Sequence, residues 1–207
     1  MTTTTTPKKL LTPAGLLDWP YLTKADTGYH AEGMYHTKII FADSPEFQKF
    51  FKAVSDAHQE AYDKATAEAK AGKRIKLADM PVYEQGGQFI MKAKLKAAGV
   101  RRDNGEGFIQ APRIFDSKNA PWDLSVAVYT GTIARLAVEL VPFNSPTAGA
   151  GISLRLKDVQ VVRLAEKTVA SPFGGPAVVK IPVETFEEVN PFADAPLPVA
   201  PNGAADF

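Results

Sequence analysis

Between Thr132 and Ala165 the chain alternates twice between apolar and polar positions. Ala134, Leu136, Val138 and Leu140 interleave with Ile133, Arg135, Ala137, Glu139 and Val141. After a Pro/Ser/Gly/Ala loop, Ile152, Leu154 and Leu156 interleave with Ser153, Arg155 and Lys157. A period of two puts one set into a core and the other on an accessible face, so the stretch predicts two long paired strands. The phase slips at Asp158–Val159, after which Val159, Val161, Val162 and Leu164 carry the apolar load. One extra residue in a strand predicts a bulge, a device that lets a sheet curl. Long, bulged antiparallel strands point to a small closed barrel.

Upstream the period changes. GMYHTKIIFA (33–42) reads as a strand. Beyond it Phe47, Phe50, Phe51, Val54, Ala57, Ala61, Tyr62, Ala65 and Ala69 recur at three- and four-residue steps. That is the apolar stripe of a helix of roughly six or seven turns. Asp43 with Glu46 fits a capping box, Pro45 sits where a first-turn proline is tolerated, and Gly72 fits a C-terminal stop. His58 lies beside the stripe and reads as a packing or surface residue, since no second His or Cys stands near it in sequence. Residues 12–30, with Trp19 and Tyr21 around Pro20, read as a turn-rich cover over one end of the domain. Residues 73–88 read as the connection from helix to sheet.

QFIMKAKLKA (88–97) is a strand with chemistry on it. Phe89, Met91, Ala93 and Leu95 face one way, and Ile90, Lys92, Lys94 and Lys96 the other. Same-face residues on a strand lie about 6.6–6.8 Å apart, so three ammonium groups form a row that can follow a phosphodiester backbone. A solvated lysine face that discourages edge pairing has the same pattern. The strand alone leaves both readings open. Arg101 and Arg102 follow in a Gly-rich turn. FIQAPRIFD (108–116) predicts one edge strand, because Pro112 cannot donate to a central ladder, and adds Arg113 and Phe115. WDLSVAVYTG (122–131) predicts a further strand.

Composition narrows the class. A chain of 207 residues, 45% hydrophobic, fits one domain with appendages. The absence of cysteine excludes a disulfide scaffold and thiolate metal sites. No apolar run approaches the roughly 20 residues of a membrane span, and MTTTTTPKK lacks the order of a signal peptide, so the expectation is a cytosolic protein with no membrane association. The net charge of +1 conceals an asymmetry: five of the 23 acidic residues and none of the 24 basic ones lie after Lys180. Residues 1–180 therefore carry +6 and the remainder −5. A basic body with an acidic tail points to a polyanionic partner and an internal competitor for it.

Enzyme signatures are poor. Three histidines (His30, His36, His58) do not suggest a metal site, and no Walker loop, GxSxG, HExxH or GxGxxG occurs. GAG at 149–151 joins two strands, with no helix after it to cradle a phosphate. What remains is a β-rich body with basic side chains on strand faces and aromatics among them. Binding of single-stranded nucleic acid needs that combination, a cationic track for the backbone and rings for the bases. Five strands interrupted by one helix match an OB-fold. Phe47, Phe50, Phe51, Phe89 and Tyr129 are expected in the core.

The segments TPAG…WPY…DTGY (12–29), GMYHTKIIF (33–41), AHQEAYDKA (57–65), LADMPVYEQGGQF (77–89), FDSKN (115–119), LAVELVPFN (136–144), GAGISLRLKDVQVVRL (149–164), FGG (173–175) and the terminal Asp206–Phe207 recur in order along most of the body. In them the chain resembles the single-stranded DNA-binding proteins of short-tailed (T-seven type) bacteriophages and related phage proteins. The resemblance implies a mainly β, five-stranded OB-fold barrel with one long α-helix packed on it and a disordered acidic C-terminal tail. It divides the chain into a flexible N-terminal arm (1–12), a single-stranded DNA-binding domain (13–180) and a flexible acidic tail (181–207).

The resemblance further implies sequence-independent binding of single-stranded DNA in phage replication and recombination, in the cytoplasm of the infected host, with no cofactor, metal or catalytic residue. Lys92 and Lys94 match lysines of the family's binding strand, Lys8 or Lys9 its N-terminal lysines, and Phe143 a stacking tyrosine. Lys96, Arg101, Arg102 and Arg113 join them as basic candidates. Ser145 stands where a second stacking ring is expected and Glu32 where an arginine is, so either affinity is lower here or Trp122, Tyr35 and Arg101–Arg102 compensate. Glu184, Glu187, Glu188, Asp194, Asp206 and Phe207 would form the tail that contacts the replicative DNA polymerase and the primase-helicase. A dimer joined by exchanged tails is implied as well. The alternative class is a phage structural or assembly β-barrel that carries its lysines for solubility, and a third is a barrel nuclease. The body lacks the clustered carboxylates a nuclease would need.

Overall fold

The computed structural model describes residues 8–28, 30–69, 74–101 and 104–165. The predicted strand pair is there: β9 (Ile133–Ser145) and β10 (Gly149–Arg163) are antiparallel, with register shifts between Leu156 and Asp158 and between Val161 and Arg163. Ala134, Leu136, Val138 and Leu140 of β9 and Ile152, Leu154, Leu156, Val159 and Val161 of β10 are buried, which is the predicted alternation with its phase slip. Val162, however, is only half-buried and Leu164 is exposed, because the second register shift ends the alternation there. In front of them run β1 (Lys9–Leu11), β2 (Gly15–Asp26), β3 (Met34–Phe41), α1 (Pro45–Ala67), β4 (Val82–Gln85), β5 (Gln88–Lys96), β6 (Ala98–Val100), β7 (Gly107–Ile109) and β8 (Arg113–Phe115).

Five strands close on themselves. β2 pairs with β3, β3 with β5, β5 with β10 in parallel, β10 with β9, and β9 with β2 again. One parallel pair in an otherwise antiparallel five-stranded ring is the OB-fold arrangement. The bulge at Lys157 sits where β10 leaves β5 at Arg155 and takes β8 as its neighbour from Asp158 onward. Extra residues bend a strand and raise its twist, and that lets one strand serve two neighbours. Inside the ring Leu17, Ile39, Met91, Leu136 and Leu156 are fully buried; sequestering each such side chain stabilises the fold by roughly 1.5–3 kcal/mol relative to exposure.

α1 packs on the barrel through the predicted stripe. Phe47 meets Phe41 of β3 and Phe89 of β5 with ring centroids 5.3 and 4.4 Å apart. Its N-cap is Ser44, not Asp43: the Ser44 hydroxyl accepts the Phe47 N–H at 3.1 Å, while Asp43 accepts from the Gln48 side chain. The helix stops at Ala67, with Glu68 as C-cap, so it ends before Gly72, which lies outside the described residues. His58 is buried and joins three segments. Its Nε2 donates to the Ala78 carbonyl at 2.9 Å and its Nδ1 accepts from the Ile152 N–H at 3.3 Å. Gly151 makes this approach feasible, because a Cβ there would collide with the imidazole.

Several local expectations differ from the structure. Residues 12–30 contain β2, a barrel strand of twelve residues interrupted at Trp19–Pro20, where Trp19 takes φ 47° and the register with β3 shifts. Proline and a left-handed residue look like a turn in sequence but form a bulge here. The connection 73–88 contains β4, turned back onto β5 by Gly86 and Gly87, both at positive φ. FIQAPRIFD is two strands: β7 pairs with β6, and β8 runs parallel to β10. WDLSVAVYTG is not a strand. The Asp123 carboxylate accepts the Ser125 N–H, which holds its pKa below the usual aspartate value, and Trp122 Nε1 donates to the Val126 carbonyl, so the segment is folded as a turn. At the N-terminus, Lys9–Leu11 of the segment expected as a free arm pair with Ala137–Glu139 of β9. Residues 1–7 and the whole expected tail, residues 181–207, lie outside the described residues. Among the described residues no helix is long and apolar enough to cross a membrane.

Candidate nucleic-acid interface

The outer face of the barrel over β3, β5 and β10 gathers the cations. On β5 the alternation is as predicted: Met91, Ala93 and Leu95 are buried and Lys92, Lys94 and Lys96 exposed. The register then sets their neighbours. His36 of β3 lies opposite Lys94, Lys38 opposite Lys92 and Met34 opposite Lys96. On the other side Lys94 pairs with Arg155 of β10. Neighbouring strands are about 4.8 Å apart, so His36, Lys94 and Arg155 form a row across three strands, crossed by the Lys92–Lys94–Lys96 row along β5. Three adjoining grooves, of about 930, 580 and 340 Å³, are all lined by Lys94. The largest also holds Lys96, Arg101, Arg155 and Lys157.

Most of these cations have an acidic neighbour at the rim. Lys38 lies 3.5 Å from Asp18, Lys96 4.0 Å from Glu32, and His36 3.2 Å from Asp26. Asp26 also accepts the Gly28 N–H, and that bond, with His36, holds its pKa below the usual aspartate value. Glu139, only 6% exposed, lies 3.6 Å from both Arg155 and Lys157. Lys92 and Lys94, at the centre, are different. Among the described residues no carboxylate comes within ion-pair distance of either. Lys92 instead has its Nζ 5.5 Å from the centre of the Tyr83 ring.

Rings border the face as well. Tyr21 packs on His36 with centroids 4.9 Å apart, and Trp19, in the β2 bulge, is 65% exposed. Phe143 is half-buried near the end of β9 and lies opposite Gly151. With no register shift between them, it shares its face of the hairpin with Val141 and Glu139, hence with Ser153 and Arg155 opposite. Ser145 ends the strand; its hydroxyl lies 3.2 Å from that of Thr147.

Other sequence candidates are elsewhere. Tyr35 lies on the core side of β3, opposite Leu95, and packs against the hydrophobic core. Trp122 packs there too and anchors its turn. Arg113 is on β8, where Nε and Nη2 bind the two Asp158 oxygens at 2.6 and 2.9 Å and raise its pKa above the usual value. With Lys9, Leu11, Phe115 and Arg135 it lines a separate cleft of about 380 Å³ between β1 and β8. Lys8 is exposed beside β1, its carbonyl accepting the Leu140 N–H. Arg102 lies outside the described residues. Lys38, Arg155, Lys157, Tyr21 and Tyr83 did not emerge from the sequence as site residues. The alternation of β10 had already put Arg155 and Lys157 on an accessible face, but only the parallel pairing with β5 brings them beside Lys94. No three His, Asp or Glu among the described residues gather in a way that could hold a metal ion.

A closed barrel of OB type with a helix packed on it and a cationic, ring-bordered outer face is the class that this fold defines. Solved structures share the fold. The chain is similar to gp2.5, a single-stranded DNA-binding protein encoded by bacteriophage T7, with a TM-score of 0.70 and 23% identity over 81% of this chain and 98% of that one. It is also similar to the single-stranded DNA-binding protein from bacteriophage Enc34 in complex with single-stranded DNA, with a TM-score of 0.53 and 14% identity over 80% of this chain and 89% of that one. A C-terminally truncated form of the Enc34 protein gives a TM-score of 0.52 at 12% identity, over 76% of this chain and 87% of that one. No family model and no curated protein sequence matches the chain. The fold is thus that of the phage single-stranded DNA-binding proteins.

Proposed function

We propose that the chain binds single-stranded DNA without marked sequence preference, the phosphodiester backbone following the cations of β3, β5 and β10. The observation that carries this reading is the central pair, Lys92 and Lys94, flanked by His36, Lys38, Lys96, Arg101, Arg155 and Lys157 and without an ion-pair partner among the described residues. Uncompensated ammonium groups gain most from phosphates, since no carboxylate must be displaced to reach them and counterion release adds to the contact. Phe143, at the end of the same face, supplies a ring for a base. The T7 and Enc34 proteins that share the fold are named for the same ligand.

On this reading the protein is a binder with no catalytic step, acting in phage DNA replication and recombination in the host cytoplasm. Residues 13–180 form the binding domain, and the acidic residues of 181–207, with Phe207 at the end, recruit the replicative polymerase and primase-helicase and join a dimer. Lys8, exposed beside β1, extends the track from the N-terminal side, while Lys9 belongs to the separate cleft with Arg113. A fluorescence anisotropy titration with labelled oligo-dT, competed by duplex DNA and by RNA, tests it. Binding to the single strand that duplex competes poorly is expected. No binding at modest salt would favour a structural or assembly protein and overturn the reading.

A further inference from the structure

The barrel closes without β6 and β7, yet this hairpin is fastened to the end of the lysine strand. The Gln110 N–H donates to the Ala97 carbonyl at 2.8 Å, and its side-chain Nε2 to the Lys96 carbonyl at 3.0 Å. The register pairs Ala98 with Ile109, Gly99 with Phe108 and Val100 with Gly107. Alternation then puts Val100 and Ile109, 67% and 92% exposed, on one side of the hairpin and Phe108 on the other. Phe108 lines the largest groove with Lys94, Lys96, Arg155 and Lys157, and although Ile109 borders it too, Phe108 is the only Phe, Tyr or Trp that does so among the described residues.

Gly99 sets that ring. A Cβ on residue 99 would meet Phe108 Cζ at 3.0 Å and Cε1 at 3.2 Å, so the ring occupies the space that a side chain would take. It is only partly buried there. A flat π surface backed by bare backbone, with cations lining the same groove, is what a nucleobase needs in order to stack while its backbone is held.

We propose that Phe108, seated over Gly99, is a base-stacking subsite that the β6–β7 hairpin adds to the groove between β5 and β10. This rests on the single-strand reading and specifies where a base lies within it. The test compares two ligands of equal length and charge, oligo-dT and its abasic deoxyribose-phosphate counterpart, on the full chain. Wild type should prefer oligo-dT; Phe108→Leu, which keeps apolar bulk over Gly99 but no stacking face, should lose about tenfold of that preference. Phe108→Tyr should keep it, and the dependence on salt should be the same in all three proteins. An unchanged preference in Phe108→Leu would overturn the subsite while leaving the single-strand reading intact. Failure of the wild type to bind either ligand would overturn both.

Discussion

Two regions of this molecule gather arginine and lysine beside aromatic rings, and Lys92 and Lys94 in the one differ from Arg113 in the other in what they already hold. On the β3–β5–β10 face Lys92 and Lys94 stand between strands with no carboxylate in reach among the described residues, and the acidic partners sit at the rim. In the cleft between β1 and β8, Arg113 is gripped by both oxygens of Asp158 and lies 5.9 Å from the Phe115 ring. A sequence counts these cations alike. A phosphate does not, because at Arg113 it must displace a bidentate carboxylate, whereas at Lys94 it displaces only water and counterions.

The largest effect expected from this contrast is in the double variant Lys92→Ala/Lys94→Ala. Two lost phosphate contacts, each contributing about 0.7 to the salt exponent of a single strand, lower oligo-dT affinity about 25-fold at 0.1 M salt. An equilibrium titration at that salt checks it. Phe143→Ala should follow, weakening binding about tenfold with no change in salt dependence, as loss of one stacked base requires. Equal affinity to wild type would remove Phe143 from the site.

Arg113→Ala should change oligo-dT affinity by less than twofold. Its effect belongs to stability: the exposed pair with Asp158 contributes no more than about 1 kcal/mol, read by chemical denaturation. A DNA affinity loss as large as that of the lysine pair would break the contrast between the two regions. The smallest effect concerns the rim. Folding lowers the pKa of Asp26 through the Gly28 N–H and His36, so the stabilisation from its charged form is complete above the usual aspartate range. It is lost as pH falls through the lowered value. An NMR titration of the side-chain carboxyl should place Asp26 below its ordinary value; a midpoint at that value would contradict the hydrogen bonding described.

Much of the scaffold was legible because period-two patterns report burial directly. β5, β9, most of β10 and the helix stripe are where alternation and spacing put them, with a bulge at Lys157 beside the expected slip. The second bulge, at Val162, and the exposure of Leu164 were not expected. Local chemistry misled where two mechanisms share a signature. Pro20 after Trp19 suggested a turn, yet the barrel absorbs both in a bulge of β2, and Tyr21 was lost to the site with them. The candidate site was legible as one row, Lys92–Lys94–Lys96, but not as a surface. Lys38 and Arg155 are 56 and 61 residues from Lys94 in sequence; the β3 and β10 registers alone make them its near neighbours. Tyr35 shows the reverse. Its ring type suited stacking, but its parity with Thr37 and Ile39 turns it to the core.

The most direct measurement is the slope of log affinity against log salt for oligo-dT, taken for wild type, Lys92→Ala/Lys94→Ala and Arg113→Ala. Wild type should bind with a steep slope, the lysine pair should lower its magnitude by about 1.4, and Arg113→Ala should leave it unchanged. Identical slopes in all three proteins, or a wild type that does not bind at low salt, would contradict the account.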